Sequence, residues 1–146
     1  MESIKRSVEV RAPVEDVYQY WTRVEEYPRF MKSLCEVRKV GENQFYVRVE
    51  RDGLLYESVE EISQLDPNRR IAWRNVSGAG HWGVVSFESL GPDRTRVTLK
   101  LAFIPDSEWH EPYVLAERIE RSLEAFRNLV EPSVMEDLVT RNWRGF

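Results

Sequence analysis

Cysteine, histidine and long apolar runs are scarce in this 146-residue chain, and each absence excludes a class of protein. The single cysteine, Cys35, excludes an internal disulfide framework and a cysteine-cluster metal site. The two histidines, His81 and His110, are too far apart in sequence to form a metal-binding signature, so we expect neither a metal nor another cofactor. No run approaches the roughly 20 apolar residues of a membrane span, and the N-terminal segment lacks a signal peptide's apolar stretch. These absences predict a cytoplasmic protein without a transmembrane segment.

Basic charge is not in excess either. The chain has 25 acidic and 21 basic residues, a net charge of −4 and a pI near 5.4, and its arginines are interleaved with acids. We therefore expect no nucleic-acid partner. The glycines at 78 and 80 lie between two predicted strands and open no helix, so the phosphate-binding arrangement of nucleotide-binding proteins is missing.

The residues that are present predict one folded domain over 1–146, with a core at about 3–131 and a C-terminal tail at 132–146. The composition is 42% hydrophobic and 12% aromatic, which is typical of a folded protein. Alternation with a period of two predicts seven strands, joined mostly by short turns that make antiparallel neighbours. Their expected ranges are 3–11, 36–40, 44–51, 54–65, 70–76, 81–90 and 94–104.

Helical periodicity appears in two places. Two short helices, at Val14–Thr22 and at 24–32, follow the first strand, and Pro28 lies inside the second. A long helix at about 108–131 carries an apolar stripe that Pro132 is expected to end or kink, with a further helical segment in the tail. The predicted fold class is α+β: a curved antiparallel sheet whose apolar face is covered by the long helix. One helix cannot fill the concave face of such a sheet, which predicts a cavity between them.

These elements and three sequence motifs resemble the START-like, or helix-grip, superfamily, in particular its polyketide cyclase/dehydrase and coenzyme Q-binding branch. The motifs are VY at 17–18 followed by VEEYPRFM at 24–31, IAW at 71–73 and GVVSF at 83–87. The chain departs from the branch at Arg23, where many members have an acid. The resemblance covers about residues 3–131 and implies a helix-grip fold. It leaves the activity open, because members include aromatase/cyclases, quinone-binding proteins and lipid carriers.

Strand parity and the helical stripe select the residues expected to line the cavity. Tryptophans and other apolar side chains would form its walls, while tyrosine hydroxyls and His81 would offer hydrogen bonds. The expected lining residues are Trp21, Tyr56, Trp73, His81, Val85, Phe87, Tyr113, Ala116 and Ile119.

Two residues are candidates for acid–base chemistry, His81 and Glu57. For His81, a hydrogen bond to a turn at the strand end is the preferred interpretation. The strand at 54–65 has an inconsistent pattern near Glu60 and Glu61, which is explained either by a β-bulge or by one glutamate that points into the cavity. The bulge is preferred, because an unpaired buried acid is costly.

Three functions remain open. The first is binding or transport of a hydrophobic small molecule such as a lipid, an isoprenoid quinone or a polyketide-like aromatic. The second is a cyclase or dehydratase, which an acid–base pair in the cavity would favour. The third is a protein-interaction module that uses the tail and Trp82 or Trp143. The simplest version of the third function is a homodimer.

Overall fold

The computed structural model describes residues 2–51, 53–77, 80–103 and 112–144. Seven strands form one antiparallel sheet in the order β1-β7-β6-β5-β4-β3-β2, as the sequence predicts. Two helical segments separate β1 from β2, and a long helix follows β7. The elements are β1 (Glu2–Val10), α1 (Val14–Thr22), a 3₁₀ helix (Val24–Arg29), β2 (Leu34–Lys39), β3 (Gln44–Arg51), β4 (Leu54–Asp66), β5 (Arg70–Asn75), β6 (Trp82–Gly91), β7 (Arg94–Phe103) and α2 (Pro112–Arg144).

Register shifts bend the sheet at three places, in β2, β4 and β6. The shift in β4 falls between Ile62 and Gln64, two residues beyond the position that the sequence pattern suggests. An extra residue in one strand increases the local twist and bend. The sheet therefore has a concave face that a helix can partly fill.

Helix α2 covers this concave face with its apolar stripe. Ile119, Leu123, Phe126 and Val130 are buried, which confirms the stripe read from the sequence. Pro132 was expected to end or kink the helix, with a further helical segment in the tail, and the structure has one helix that continues through Pro132 to Arg144. Proline is tolerated here because its ring lies on the exposed side of the helix, while Val134 in the same turn is buried in the core. The segment at 132–144 is therefore an extension of α2 and not a separate tail.

The short helical segments are anchored to α2 by an aromatic cluster. The Trp21 ring lies 5.0 Å from that of Phe126 and 5.2 Å from that of Phe30, measured between centroids. The second segment is a 3₁₀ helix that ends at Arg29, shorter than the predicted 24–32. Pro28 explains this, because proline lacks the N–H that a continuing helix needs. Within the described residues, no helix combines the length and apolarity needed to cross a membrane.

Candidate functional site

A cavity of about 200 Å³ lies between the concave face and the first half of the described part of α2. Its walls are mainly apolar side chains from four strands, the segment before β2 and α2. Polar groups are few and come from the segment before β2, from β4, from the residue before β6 and from α2. The lining residues are Tyr27, Met31, Ser33, Leu34, Phe45, Val47, Val49, Ser58, Glu60, Trp73, His81, Leu99, Leu101, Leu115, Arg118, Ile119 and Ser122.

The most strongly polar part of the wall is a buried glutamate that contacts a histidine. The Oε1 atom of Glu60 lies 2.5 Å from Nε2 of His81, and the two side chains are only 5% and 12% exposed. The same oxygen accepts a hydrogen bond from Ser58 Oγ at 3.2 Å and a longer one from Asn75 Nδ2 at 3.4 Å. One carboxylate oxygen is thus held by three side chains.

The sheet register brings these four residues together. Ser58 and Glu60 are two residues apart on β4 and face the same side of the sheet. Glu60 is the cross-strand partner of Asn75 at the end of β5, and the Asn75 N–H donates to the His81 carbonyl at 2.9 Å. Backbone pairing therefore fixes where each side chain points.

A contact of 2.5 Å between Glu60 Oε1 and His81 Nε2 is a hydrogen bond, in which one of the two atoms carries the proton. Either the carboxylate accepts a hydrogen bond from a protonated Nε2, or a protonated carboxyl donates to a neutral Nε2. The second carboxylate oxygen, Oε2, is buried and has no hydrogen-bond partner among the described residues. Such a pair can take up or release a proton next to a molecule in the cavity.

Trp73 forms a flat apolar wall beside this polar cluster. It faces Gly83 across the β5–β6 pair. A Cβ atom at Gly83 would lie 2.4 Å from Cζ2 of the Trp73 indole. Only glycine therefore allows the ring to lie where it does, against the strand backbone.

Tyr27 lines the cavity but serves a structural purpose. Its hydroxyl donates to the Trp21 carbonyl at 2.5 Å, and this bond is buried. Burial raises the pKa of the Tyr27 hydroxyl well above its ordinary value. It therefore stays protonated and holds the 3₁₀ helix to α1, and it is not suited to proton transfer.

The structure brings three of the predicted site residues to the cavity wall, namely Trp73, His81 and Ile119. The others lie elsewhere. Trp21, Val85 and Phe87 are buried in the core beside the cavity, and Tyr56 and Ala116 are half-buried without lining it. The side chain of Tyr113 lies outside the described residues.

Glu57 was the second acid–base candidate, and the structure does not place it in the cavity. It is exposed on the outer face of β4 and hydrogen-bonds Tyr46, so it cannot act in the cavity. The acid that does face the cavity is Glu60, the alternative that was not preferred. The preferred explanation, a bulge near Glu60 and Glu61, is wrong in position, because the bulge occurs at Ile62–Gln64, and one glutamate does point inward. The inward acid is tolerated because three side chains hold one of its oxygens.

The remaining polar lining residues, Ser33, Ser58, Arg118 and Ser122, were not identifiable as site residues from the sequence. Ser58 shares strand parity with Glu60, which is the signal that would have found it. Arg118 and Ser122 are four residues apart on the cavity side of α2. The free cysteine, Cys35, is exposed and does not line the cavity.

The fold and the cavity define a START-like, helix-grip protein. Residues 10–127 match the model of the family described as polyketide cyclase/dehydrase and lipid transport, and the chain belongs to this family. An uncharacterised 17.2 kDa protein of Streptomyces lincolnensis, from the melC2–rnhH intergenic region, is 31% identical over 99% of this chain and 98% of its own length.

Two solved structures show the same fold. A START superfamily protein from Mycobacterium smegmatis has a TM-score of 0.77 at 20% identity and covers 89% of this chain and 97% of its own. The ZhuI aromatase/cyclase from Streptomyces sp. R1128 has a TM-score of 0.67 at 21% identity and covers 94% and 95% of the two chains. At these identities the likeness concerns the fold alone.

Proposed function

We propose that the protein binds a small, largely apolar molecule in the cavity between the sheet and α2, with a polar group of the ligand at Glu60 and His81. The observation that carries this proposal is an apolar cavity in which a few polar groups converge at one place. Ligand sites have this composition, since apolar walls supply affinity and a few polar groups fix the orientation.

The cavity volume limits the size of the ligand. An apolar cavity of about 150 Å³ is known to hold one benzene ring. The 200 Å³ between the described walls, which is open on one side, suits one or two fused rings or a short segment of a longer chain. Among the hydrophobic ligands considered, a polyketide-like aromatic or a quinone head group fits this volume better than a whole lipid does.

Calorimetric titration with naphthalene, 1,4-naphthoquinone and decanoic acid tests the proposal. We expect at least one of the two ring compounds to bind, and Ser122→Phe to abolish binding because the new ring occupies the cavity. Asn128→Phe is the matched control, since Asn128 is exposed on the same helix and does not line the cavity. Absence of binding by all three compounds would contradict the proposal. The protein-interaction hypothesis would then remain, and the exposed Leu54 and Leu55 would be the first residues to substitute.

A second function, cyclase- or dehydratase-type catalysis, is favoured by the contact between His81 and Glu60. Cyclisation of a poly-β-keto compound needs a base that removes a proton from the carbon between two carbonyls and an acid that protonates the attacked carbonyl oxygen. The pair can exchange one proton with a bound substrate in this way.

The test of this second function is deuterium exchange at the central carbon of a cyclic 1,3-diketone, followed by NMR. We expect the protein to accelerate this exchange and His81→Gln to remove the acceleration. A rate equal to that in imidazole buffer would contradict catalysis.

A further inference from the structure

The two oxygens of the Glu60 carboxylate have unequal surroundings. Oε1 is in contact with Ser58, Asn75 and His81, whereas Oε2 is buried without a hydrogen-bond partner among the described residues. We infer that the ligand supplies the missing donor, so that it is a hydroxyl compound such as a phenol or an enol, and not a quinone or a hydrocarbon. This inference rests on the proposed function and specifies its ligand class.

A buried acceptor that lacks a donor is unfavourable, because it has lost its water without gaining a partner. Glu60 is 4% exposed and lines the cavity, so a ligand in the cavity can supply this donor. The terminal torsion of a glutamate side chain is broad. A small turn of the carboxylate, with Oε1 still in contact with its three partners, is therefore enough to present Oε2 to a hydroxyl group in the cavity.

Among the described lining residues, the wall near Glu60 offers no other charged acceptor for such a hydroxyl proton. Trp73, Leu99 and Leu101 contribute apolar surface, and the Arg118 guanidinium on α2 can only donate. The serine hydroxyls can donate and accept, so they do not discriminate between ligands. The Glu60 carboxylate is the one charged acceptor among the described lining residues.

The surroundings of Oε1 also determine how a glutamine would orient at this position. Ser58 and Asn75 donate to Oε1, so the amide oxygen of Glu60→Gln is expected to take the Oε1 position. The amide nitrogen then replaces Oε2. This substitution converts an acceptor into a donor at constant size, and the preferred ligand should change from a donor to an acceptor.

The test uses three naphthalenes of similar shape: 2-naphthol, 2-methylnaphthalene and 2-methoxynaphthalene. The first has a donor, the second has the same size without a polar group, and the third has only an acceptor. We expect the wild-type protein to prefer 2-naphthol over both others by about ten- to hundredfold in Kd, the range for a hydrogen bond to a charged group. Glu60→Gln should remove this preference or reverse it toward the methoxy compound. Glu57→Gln, the same change on the outer face of the same strand, should keep it.

The outcomes separate this inference from the proposed function. If no naphthalene binds, the proposed function fails. If the three bind the wild-type protein equally, the cavity binds apolar rings but the donor inference is wrong, as when a water molecule occupies the position beside Oε2. A wild-type preference for 2-methoxynaphthalene would also overturn it, since Glu60 would then be the donor. The wild-type ranking decides the question even if Glu60→Gln does not fold.

Discussion

Replacing Gly83 with alanine tests whether the position of Trp73 shapes the cavity. The new Cβ would lie 2.4 Å from Cζ2 and 2.6 Å from Cε2 of the indole. Carbon atoms that are not bonded approach each other to about 3.5–4.0 Å, so the ring has to move by about 1 Å. The nearest atoms belong to a rigid ring and not to the end of a flexible chain, and the movement therefore displaces the whole side chain.

Two opposing effects set the size of the change in stability. Overpacking a core position costs about 1–3 kcal/mol. Alanine also restricts the unfolded chain more than glycine does, which stabilises the protein by about 0.4–1 kcal/mol where the backbone suits it. We expect a net loss of about 1–2 kcal/mol in the free energy of unfolding. Binding of naphthalene should weaken as well, because Trp73 lines the cavity.

Urea unfolding and calorimetric titration of Gly83→Ala, Trp73→Leu and the double variant measure both effects. The smaller leucine leaves room for the Cβ atom, so the added cost of Gly83→Ala should largely disappear in the Trp73→Leu background. If Gly83→Ala unfolds and binds ligand like the wild-type protein, the Trp73 ring does not depend on a glycine at this position. The same conclusion would follow if the cost of Gly83→Ala were the same in both backgrounds.

Three other predictions concern the fold and its charges. Leu123→Asp should unfold the protein, because it places a charge at a position that is 2% exposed. Asn128→Asp, on the exposed side of the same helix, should have the same urea midpoint as the wild-type protein. Equal stability of the two variants would contradict the packing of α2. Hydrogen bonds from Arg74, and secondarily from Gln44, hold the pKa of the Glu61 carboxyl below 4.5. The ionised carboxylate therefore stabilises the folded protein above the pKa that Glu61 has in the unfolded chain. This stabilisation is lost as the pH falls through the lower pKa that Glu61 has in the folded protein. Glu61→Gln should therefore flatten the acid limb of a urea-unfolding series, and an unchanged limb would refute this. Treatment with a chelator should leave the melting temperature unchanged, since the described residues bring no three metal-ligating side chains together; a fall of several degrees would count against it.

The strands of the sheet and the buried face of α2 could be predicted, because each depends on a local spacing of apolar residues in the sequence. On β7, Thr95, Val97 and Leu99 are buried as alternation requires. The continuation of α2 beyond Pro132 could not be predicted in the same way. It depends on the burial of Val134 in the core, a tertiary contact that outweighs the local preference of proline.

The candidate site was only partly predictable, for a different reason. Parity places Val85 and Phe87 on the same face as the cavity, but it does not say which part of that face the helix covers. Those two residues lie where the core is filled, whereas Trp73 and His81 lie where the space remains. The contact between Glu60 and His81 joins residues 21 positions apart and depends on the register of β4, β5 and β6. A period of two does not specify that register.

The most direct test of the account is to observe the indole N–H signals of the ¹⁵N-labelled protein during titration with 2-naphthol. Trp73 lines the cavity, whereas Trp21 is buried in the core beside it, and the two signals can be assigned with Trp73→Phe and Trp21→Phe. The account predicts a saturable shift of the Trp73 signal that is larger than any shift of Trp21 and is absent in Ser122→Phe. Saturable binding that leaves Trp73 unshifted, or that persists in Ser122→Phe, would show that the ligand binds elsewhere and would contradict the central claim.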